Sequence, residues 1–254
     1  MVHADLALSH IAHKNAQENN KLRTADQAAH DWYRFVLSFP PHLVRDYINR
    51  FGADSNDYVL DPFCGTGTTL VECKKLGVPS VGVEAHPMAH FASQVKTEWN
   101  VDPSGLLKHA SKVASVVSDK LETEGIEEAN LPLFRKRLSA PAKLRTLPPD
   151  AWKLLLKDSI SPLPLHRTLV LLETLEEMKD DRYSRHERLA LAKALVFGIS
   201  NLHFGPEVGV GPAKGDAPTV ALWLRGVHGM ADDLRELHSQ GHAKSEIHRA
   251  DSRS

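Results

Sequence analysis

Apolar and polar positions change rhythm at one stretch of the chain. Tyr58, Val59 and Leu60 form a short unbroken apolar run, the pattern of a strand buried on both faces of a parallel sheet. Gly65 and Gly67 follow, where the backbone can turn sharply and approach a ligand closely. From Thr68 and Thr69 onward the spacing becomes helical, with Leu70, Val71, Cys73 and Leu76 apolar. Gly77 predicts a left-handed helix stop, and Pro79 prevents continuation. Val81, Gly82 and Val83 predict a second strand, which delivers Glu84 at its end. Strand, glycine turn, helix, strand and acid is the order of a nucleotide-cofactor half-site, in which the acid accepts hydrogen bonds from ribose hydroxyls.

The flanks extend this unit. Between His30 and Phe51 apolar residues are dense, and Pro40 and Pro41 split the run. The second piece, 42–50, predicts a helix with Leu43, Val44, Tyr47, Ile48 and Phe51 on a buried face. After Glu84 a further helix, with Met88, Phe91, Ala92, Val95 and Trp99 apolar, is expected to cover the other face of the second strand. Residues 1–29 are polar and read as a mobile arm or surface helix. Residues 102–242 depart from a compact α/β plan. Helical spacing occupies 106–121, 151–156, 165–178, 185–204 and 221–238, with proline-rich separators, and reads as a helical insertion. Within it, 203–220 has four glycines and three prolines and reads as a loop, a lid or a DNA-facing segment. Its Gly-Pro-Ala-Lys-Gly-Asp piece lacks the spacing and the preceding strand of a phosphate-binding P-loop. Ile247 centres a short third strand. The predicted organisation is therefore a partial α/β core at 30–101 and 243–254, interrupted by the insertion.

Composition narrows the classes. With 254 residues and 42% apolar content the chain can bury a substantial core. No apolar run approaches a membrane span and the N-terminus has no secretion-signal pattern, so a cytoplasmic protein is the expectation. Cys64 and Cys73 are the only cysteines, which excludes a disulfide framework, and the 15 histidines are scattered without converging ligands, so no metal site is expected. The net charge of −1 is uninformative about nucleic acid in bulk, since basic residues can concentrate on one face. Arg135, Lys136, Arg137, Lys143 and Arg145 do concentrate in the insertion, as a solvated surface or as phosphate contacts.

The glycine turn discriminates among cofactors. A nicotinamide or flavin dinucleotide site carries a third glycine, here replaced by Thr68 and Thr69, and Asp61 at the first strand's end would repel a pyrophosphate. A ligand with an ammonium and a sulfonium and no phosphate suits Asp61, which favours S-adenosylmethionine over another nucleotide or a purely structural turn. The string DPFCGTGTT resembles the cofactor motif of site-specific DNA methyltransferases that modify exocyclic amino groups, enzymes that also serve restriction-modification. HDWYRFVLSFPPHLVRDYINRFG resembles the cofactor-binding segment preceding that motif. The resemblance implies a Rossmann-like class I methyltransferase sheet, incomplete with three strands expected. It implies a cofactor site of Phe39, Pro41, Asp61, Pro62, Phe63, Gly65, Gly67, Thr68, Thr69 and Glu84, with Asp251 contacting the adenine amino group. It implies DNA as partner, with Arg135, Lys136 and Arg137 as candidate contacts.

The family also captures a flipped base with a polar residue followed by Pro-Pro and an aromatic. Neither Phe39-Pro40-Pro41-His42 nor Leu147-Pro148-Pro149-Asp150 has that form. The sequence thus resembles an N-terminal portion, expected to be inactive alone and to depend on a catalytic half encoded downstream. An RNA methyltransferase with a similar motif and an inactive cofactor-binding remnant are the alternatives.

Overall fold

The computed structural model describes residues 22–34, 38–126, 143–204, 207–240 and 243–253. The chain divides into two compact units, Met1–Trp99 with Glu236–Ser254, and Asn100–Arg235.

In the first unit, helix α1 (Pro41–Phe51) begins with a proline at its first turn and ends at Gly52, whose φ of 66° makes the left-handed stop. Strand β1 (Val59–Asp61) leads through the glycine turn into α2 (Thr68–Lys75), then β2 (Ser80–Val83) and α3 (Pro87–Thr97). The third strand of this sheet, Ser245–His248, is the last in the chain and is called β5. The sheet is parallel throughout, ordered β1-β2-β5, with Leu60 beside Val81 and Val81 beside Glu246. Among the described residues this is a small α/β sheet with β1 on an edge.

Both crossovers, β1 to β2 and β2 to β5, step in the same direction along the sheet, and right-handed connections then place their helices on the same face. Helix α3 accordingly meets α2: a Cβ on Gly67 would lie 2.9 Å from Ser93 Cβ. The expectation that α3 covers the other face of β2 is corrected by this geometry. A second correction concerns α1. Val44 and Ile48 are buried with Cys73 and Val78, but Leu43, Tyr47 and Phe51 point outward. One helix has two apolar stripes, and the sheet available to it buries only one.

A buried carboxylate ties the unit together. Glu72 of α2 is fully buried. His30 Nε2 lies 2.7 Å from its Oε1, Arg45 of α1 donates to its Oε2 at 2.5 Å, and Lys75 is 3.4 Å away. Arg45 also pairs with buried Asp26 at 2.8 Å. The end of the segment read as an arm is therefore packed: Asp26, Ala28 and Ala29 are buried. Burial would raise the Glu72 carboxyl, but the His30 bond and the nearby Lys75 and Arg45 charges outweigh it and hold it at about 2. Burial drives the His30 imidazole down to about 4 against the pull of Glu72.

In the second unit, Asp102 caps α4 (Pro103–Thr123), accepting from the N–H groups of Ser104 and Gly105. Leu106, Ala110, Val113, Val117 and Leu121 form its buried stripe. Next come the short α5 (Pro149–Trp152), α6 (Pro162–Glu177), which packs on α4, and α7 (Ser184–Ala194). His109 joins α4 to Glu187 of α7 at 2.7 Å, and Trp223 Nε1 of α8 (Thr219–Leu237) donates to the Glu187 carbonyl.

The helix expected over 151–156 stops at Trp152, and Leu154 to Leu156 lie exposed. The helix expected over 185–204 ends in a wider π turn at Leu195–Ile199, and the segment read as a loop instead starts with a hairpin. Strands β3 (Leu202–Phe204) and β4 (Val208–Val210) pair antiparallel there. Lys214 Nζ donates to the Gly198 and Ser200 carbonyls at 3.0 and 2.6 Å, satisfying the acceptors that a helix end leaves free. Its N–H donates to Asn201 Oδ1 at 2.8 Å. The lysine of the Gly-Pro-Ala-Lys-Gly-Asp piece thus fastens this segment.

Glu72→Ala removes one partner of a buried charge network and is expected to cost about 3 kcal/mol, measured as a lower urea midpoint. Unfolded His30 takes its proton near 6.5 but folded His30 only near 4, so stability should fall with pH across that interval. Glu72 adds a further loss between 4.5 and about 2. A stability profile flat from neutral pH down to 4 would contradict the His30 assignment, and one flat from 4.5 down to about 2 would contradict that of Glu72.

The two turn glycines make a second test. Gly67 has φ +85° and no room for a Cβ against Ser93, whereas Gly65 has φ +54° and open space. Gly65→Ala should cost about 1 kcal/mol from the left-handed backbone alone, and Gly67→Ala clearly more, because α3 must also shift. Thermal unfolding of the two variants checks the order.

Candidate functional site

Because the three strands are parallel, their C-terminal ends lie along one edge of the sheet, where open α/β sheets bind ligands. Asp61 ends β1, Glu84 follows β2, and Asp251 follows β5. The turn between β1 and α2 is built against this edge. Asp61 Oδ1 accepts from the Phe63 N–H at 3.1 Å, a local turn that fixes Pro62 and Phe63. The Cys64 N–H donates to the Val83 carbonyl at 3.0 Å, and the Gly67 N–H to the Cys64 carbonyl at 2.8 Å. Glu84 closes the arrangement. Its Oε2 accepts from the Gly65 N–H at 2.9 Å and its Oε1 from the His86 N–H at 2.7 Å. The carboxylate is therefore oriented by the glycine turn itself.

Gly82 belongs to the same construction. A side chain there would collide with Cys64 Sγ at 2.8 Å and with both Leu70 methyls at 3.0 Å, so glycine lets the turn and α2 close on β2. Helix α2 opens without a side-chain cap, with Thr68 buried and Thr69 half-buried. Phe39 is exposed, Pro41 is buried at the first turn of α1, and Phe39 and Thr69 share the wall of a groove of about 460 Å³. Both carboxylate oxygens of Asp251 are engaged by Arg253, at 2.9 and 2.6 Å. Arg135, Lys136 and Arg137 lie outside the described residues. Arg145 is taken up by ion pairs with Glu124 and Glu173, so the basic cluster read from the sequence is partly neutralised.

One group was not singled out by the sequence. Thr66, between the two glycines, is buried, and its hydroxyl has no hydrogen-bond partner among the described residues. A buried hydroxyl left unpaired is uncommon and marks a position that a ligand or water completes. Its signal was only its place in the glycine turn. Burial, with Asp61 and Glu84 nearby, pushes the Cys64 thiol up to about 12, so it is protonated near neutral pH. No group of three or more histidine, cysteine or acidic side chains among the described residues converges on a metal position. The edge offers carboxylates and a buried hydroxyl, a set suited to a donor-rich or cationic ligand.

Residues 7–94 match the family model described as DNA methylase. The type II methyltransferase M.BsoBI of Geobacillus stearothermophilus is 35% identical over 100 residues, 37% of this chain and 20% of that protein. The type II methyltransferase M.MjaII of Methanocaldococcus jannaschii is 33% identical over 69 residues, 27% of this chain and 13% of that protein. A tRNA (guanine(10)-N2)-dimethyltransferase of Methanothermobacter thermautotrophicus is 45% identical over 47 residues, 18% of this chain and 14% of that protein. The chain thus spans a fifth or less of the length of each of these relatives. Over residues 7–94, through the glycine turn and Glu84 to most of α3, the chain is similar to the DNA methylase family.

Proposed function

We propose that the chain supplies the S-adenosylmethionine-binding part of a DNA methyltransferase acting on an exocyclic amino group of adenine or cytosine. The observation that carries the reading is Glu84, held by Gly65 and His86 N–H groups at the sheet edge and facing a turn with a carboxylate, Asp61, in place of a phosphate-binding cation. The residues fit such a ligand. Glu84 accepts from the ribose hydroxyls, and Asp61 complements the positive charge of the methionine end. Gly65 and Gly67 let the backbone come close, and the buried Thr66 hydroxyl and the first turn of α2, at Thr68 and Thr69, supply polar contacts. Phe39, Pro41, Pro62 and Phe63 provide apolar walls, and Asp251 receives the adenine amino group. When bound, the cofactor supplies an electrophilic methyl group on its sulfonium.

These residues bind and orient. Cys64 is the nearest potential nucleophile, and its thiol is held protonated. Capture of the target base is assigned to polypeptide outside these 254 residues, because the sequence has no polar-Pro-Pro-aromatic loop. The basic run Arg135–Arg137 is assigned to phosphate contact. The 45% identity to a tRNA dimethyltransferase supports a second reading, an RNA substrate. Transfer of labelled methyl groups to DNA or to tRNA, with the polypeptide encoded next to this one present, separates the two.

Calorimetric titration tests the cofactor site. Wild-type protein should bind S-adenosylmethionine and not NAD, and Glu84→Ala should weaken binding by about 1 to 3 kcal/mol through loss of the acceptor. Unchanged affinity in Glu84→Ala, or preference for NAD, would overturn the assignment.

A further inference from the structure

We propose that His109 and Glu187 hold one buried proton between them and act as an alkali-sensitive latch inside the second unit. Hydrogen-bond geometry requires that proton. Both ring nitrogens of His109 lie against acceptors: Nε2 is 2.9 Å from the Met178 carbonyl, and Nδ1 is 2.7 Å from Glu187 Oε1. A neutral imidazole has a single N–H, and an ionised carboxylate and a carbonyl have no hydrogen to give. The hydrogen on Nε2 satisfies the carbonyl, so the contact between Nδ1 and Oε1 needs another. It has two seats, Nδ1 facing a carboxylate or Oε1 facing a neutral ring, and it belongs to the pair in both.

The surroundings retain it. The side chains of Glu187 and His109 are 1% and 14% exposed. Met178 stands at the C-terminal end of α6, where the helix dipole favours positive charge. Burial raises the Glu187 carboxyl and the His109 bond works against it, while nearby Asp180 adds to the rise. Arg182 engages Asp180 through contacts of 2.9 and 2.6 Å and also feels Asp102 at the start of α4. From α8 the contact is the uncharged indole of Trp223, which donates to the Glu187 backbone carbonyl. The Tyr183 ring, 5.7 Å from that of His109, closes the site, and Gly105 makes room for it, since a Cβ there would collide with the Tyr183 hydroxyl. Helices α4, α6, α7 and α8 thus meet at one proton.

Counting protons in each state gives the sign. Unfolded, Glu187 titrates near 4.5 and His109 near about 6.5. Between those values the unfolded chain and the folded pair each hold one proton, and the latch leaves stability independent of pH. Above about 6.5 the unfolded chain gives its proton up while the folded pair keeps it, so each further pH unit costs about tenfold in the folding constant until the pair ionises. A carboxylate then faces a nitrogen lone pair, and α4 loses its link to α7. Lys96 in the first unit has the opposite sign in this range, because burial brings its ammonium down to about 7. The latch is therefore read within the second unit, as a difference between two chains.

Glu187→Gln supplies that difference. Its amide donates to Nδ1 without a titratable proton, a permanent copy of the protonated pair at nearly the same volume. Hydrogen exchange of the α4 and α7 amides in the full chain, read by mass spectrometry at pH 7 and pH 9, compares the variant with the wild type. Between those two values the wild type should lose at least about tenfold in protection relative to Glu187→Gln, since intrinsic exchange and Lys96 are common to both. Nuclear magnetic resonance of wild-type protein labelled at histidine and glutamate gives a second reading at pH 8, where Nε2 should carry hydrogen and the pair one further proton. The same pH dependence in both chains, a bare Nε2, or an ionised Glu187 beside a bare Nδ1 would overturn the proposal.

Discussion

The fully buried carboxylate of Glu72 is the constraint around which the first unit is arranged. It sits in α2, the helix that continues the glycine turn, and it is reached by His30, by Arg45 of α1 and by Lys75. A buried charge is tolerated only when its partners are in place, so the segment before α1, α1 itself and α2 must assemble together. That fixes where α2 starts, hence where the turn lies against the ends of β1 and β2. The network contributes geometry more than net stability, since desolvation consumes much of the attraction between the charges.

The electrostatics of the sheet edge follow from that placement. Parallel strands bring Asp61, Glu84 and Asp251 to one side, and the turn spends its N–H groups on Glu84. Burial first, and then the two carboxylates close to Cys64, suppress its ionisation. An edge of this kind favours cationic or hydroxyl-bearing groups and disfavours phosphate, the physical content of the distinction between methyl donor and dinucleotide.

The apolar side of α1 shows what a small one-sided sheet leaves undone. Right-handed crossovers set α2 and α3 on one face, and parallel sheets are normally covered on both. Leu60 on the far face and Tyr47 and Phe51 at the edge therefore retain core chemistry in surface positions. In the second unit the same chemistry is satisfied internally, with the apolar stripe of α4 buried from Leu106 to Leu121 and the hairpin segment fastened by Lys214.

By itself, the sequence determined the local elements and their order. Apolar runs bounded by Gly65, Gly67, Gly77 and Pro79 specify strand, turn, helix and strand, because φ > 0 and proline act within a few residues. It also marked Glu84 and Asp61 as acids at strand ends, and Ile247 as the centre of a third strand, which pairs with β2. Tertiary structure alone decided the rest. Which face a helix buries depends on what stands opposite, so the outward stripe of α1 and the placement of α3 beside α2 could not be read from periodicity. Glu72 looked like one polar position in an apolar helix, and its partners His30 and Arg45 lie 42 and 27 residues away. The hairpin within 203–220 hid behind glycine and proline, whose composition signals a turn but not the strands that the turn joins.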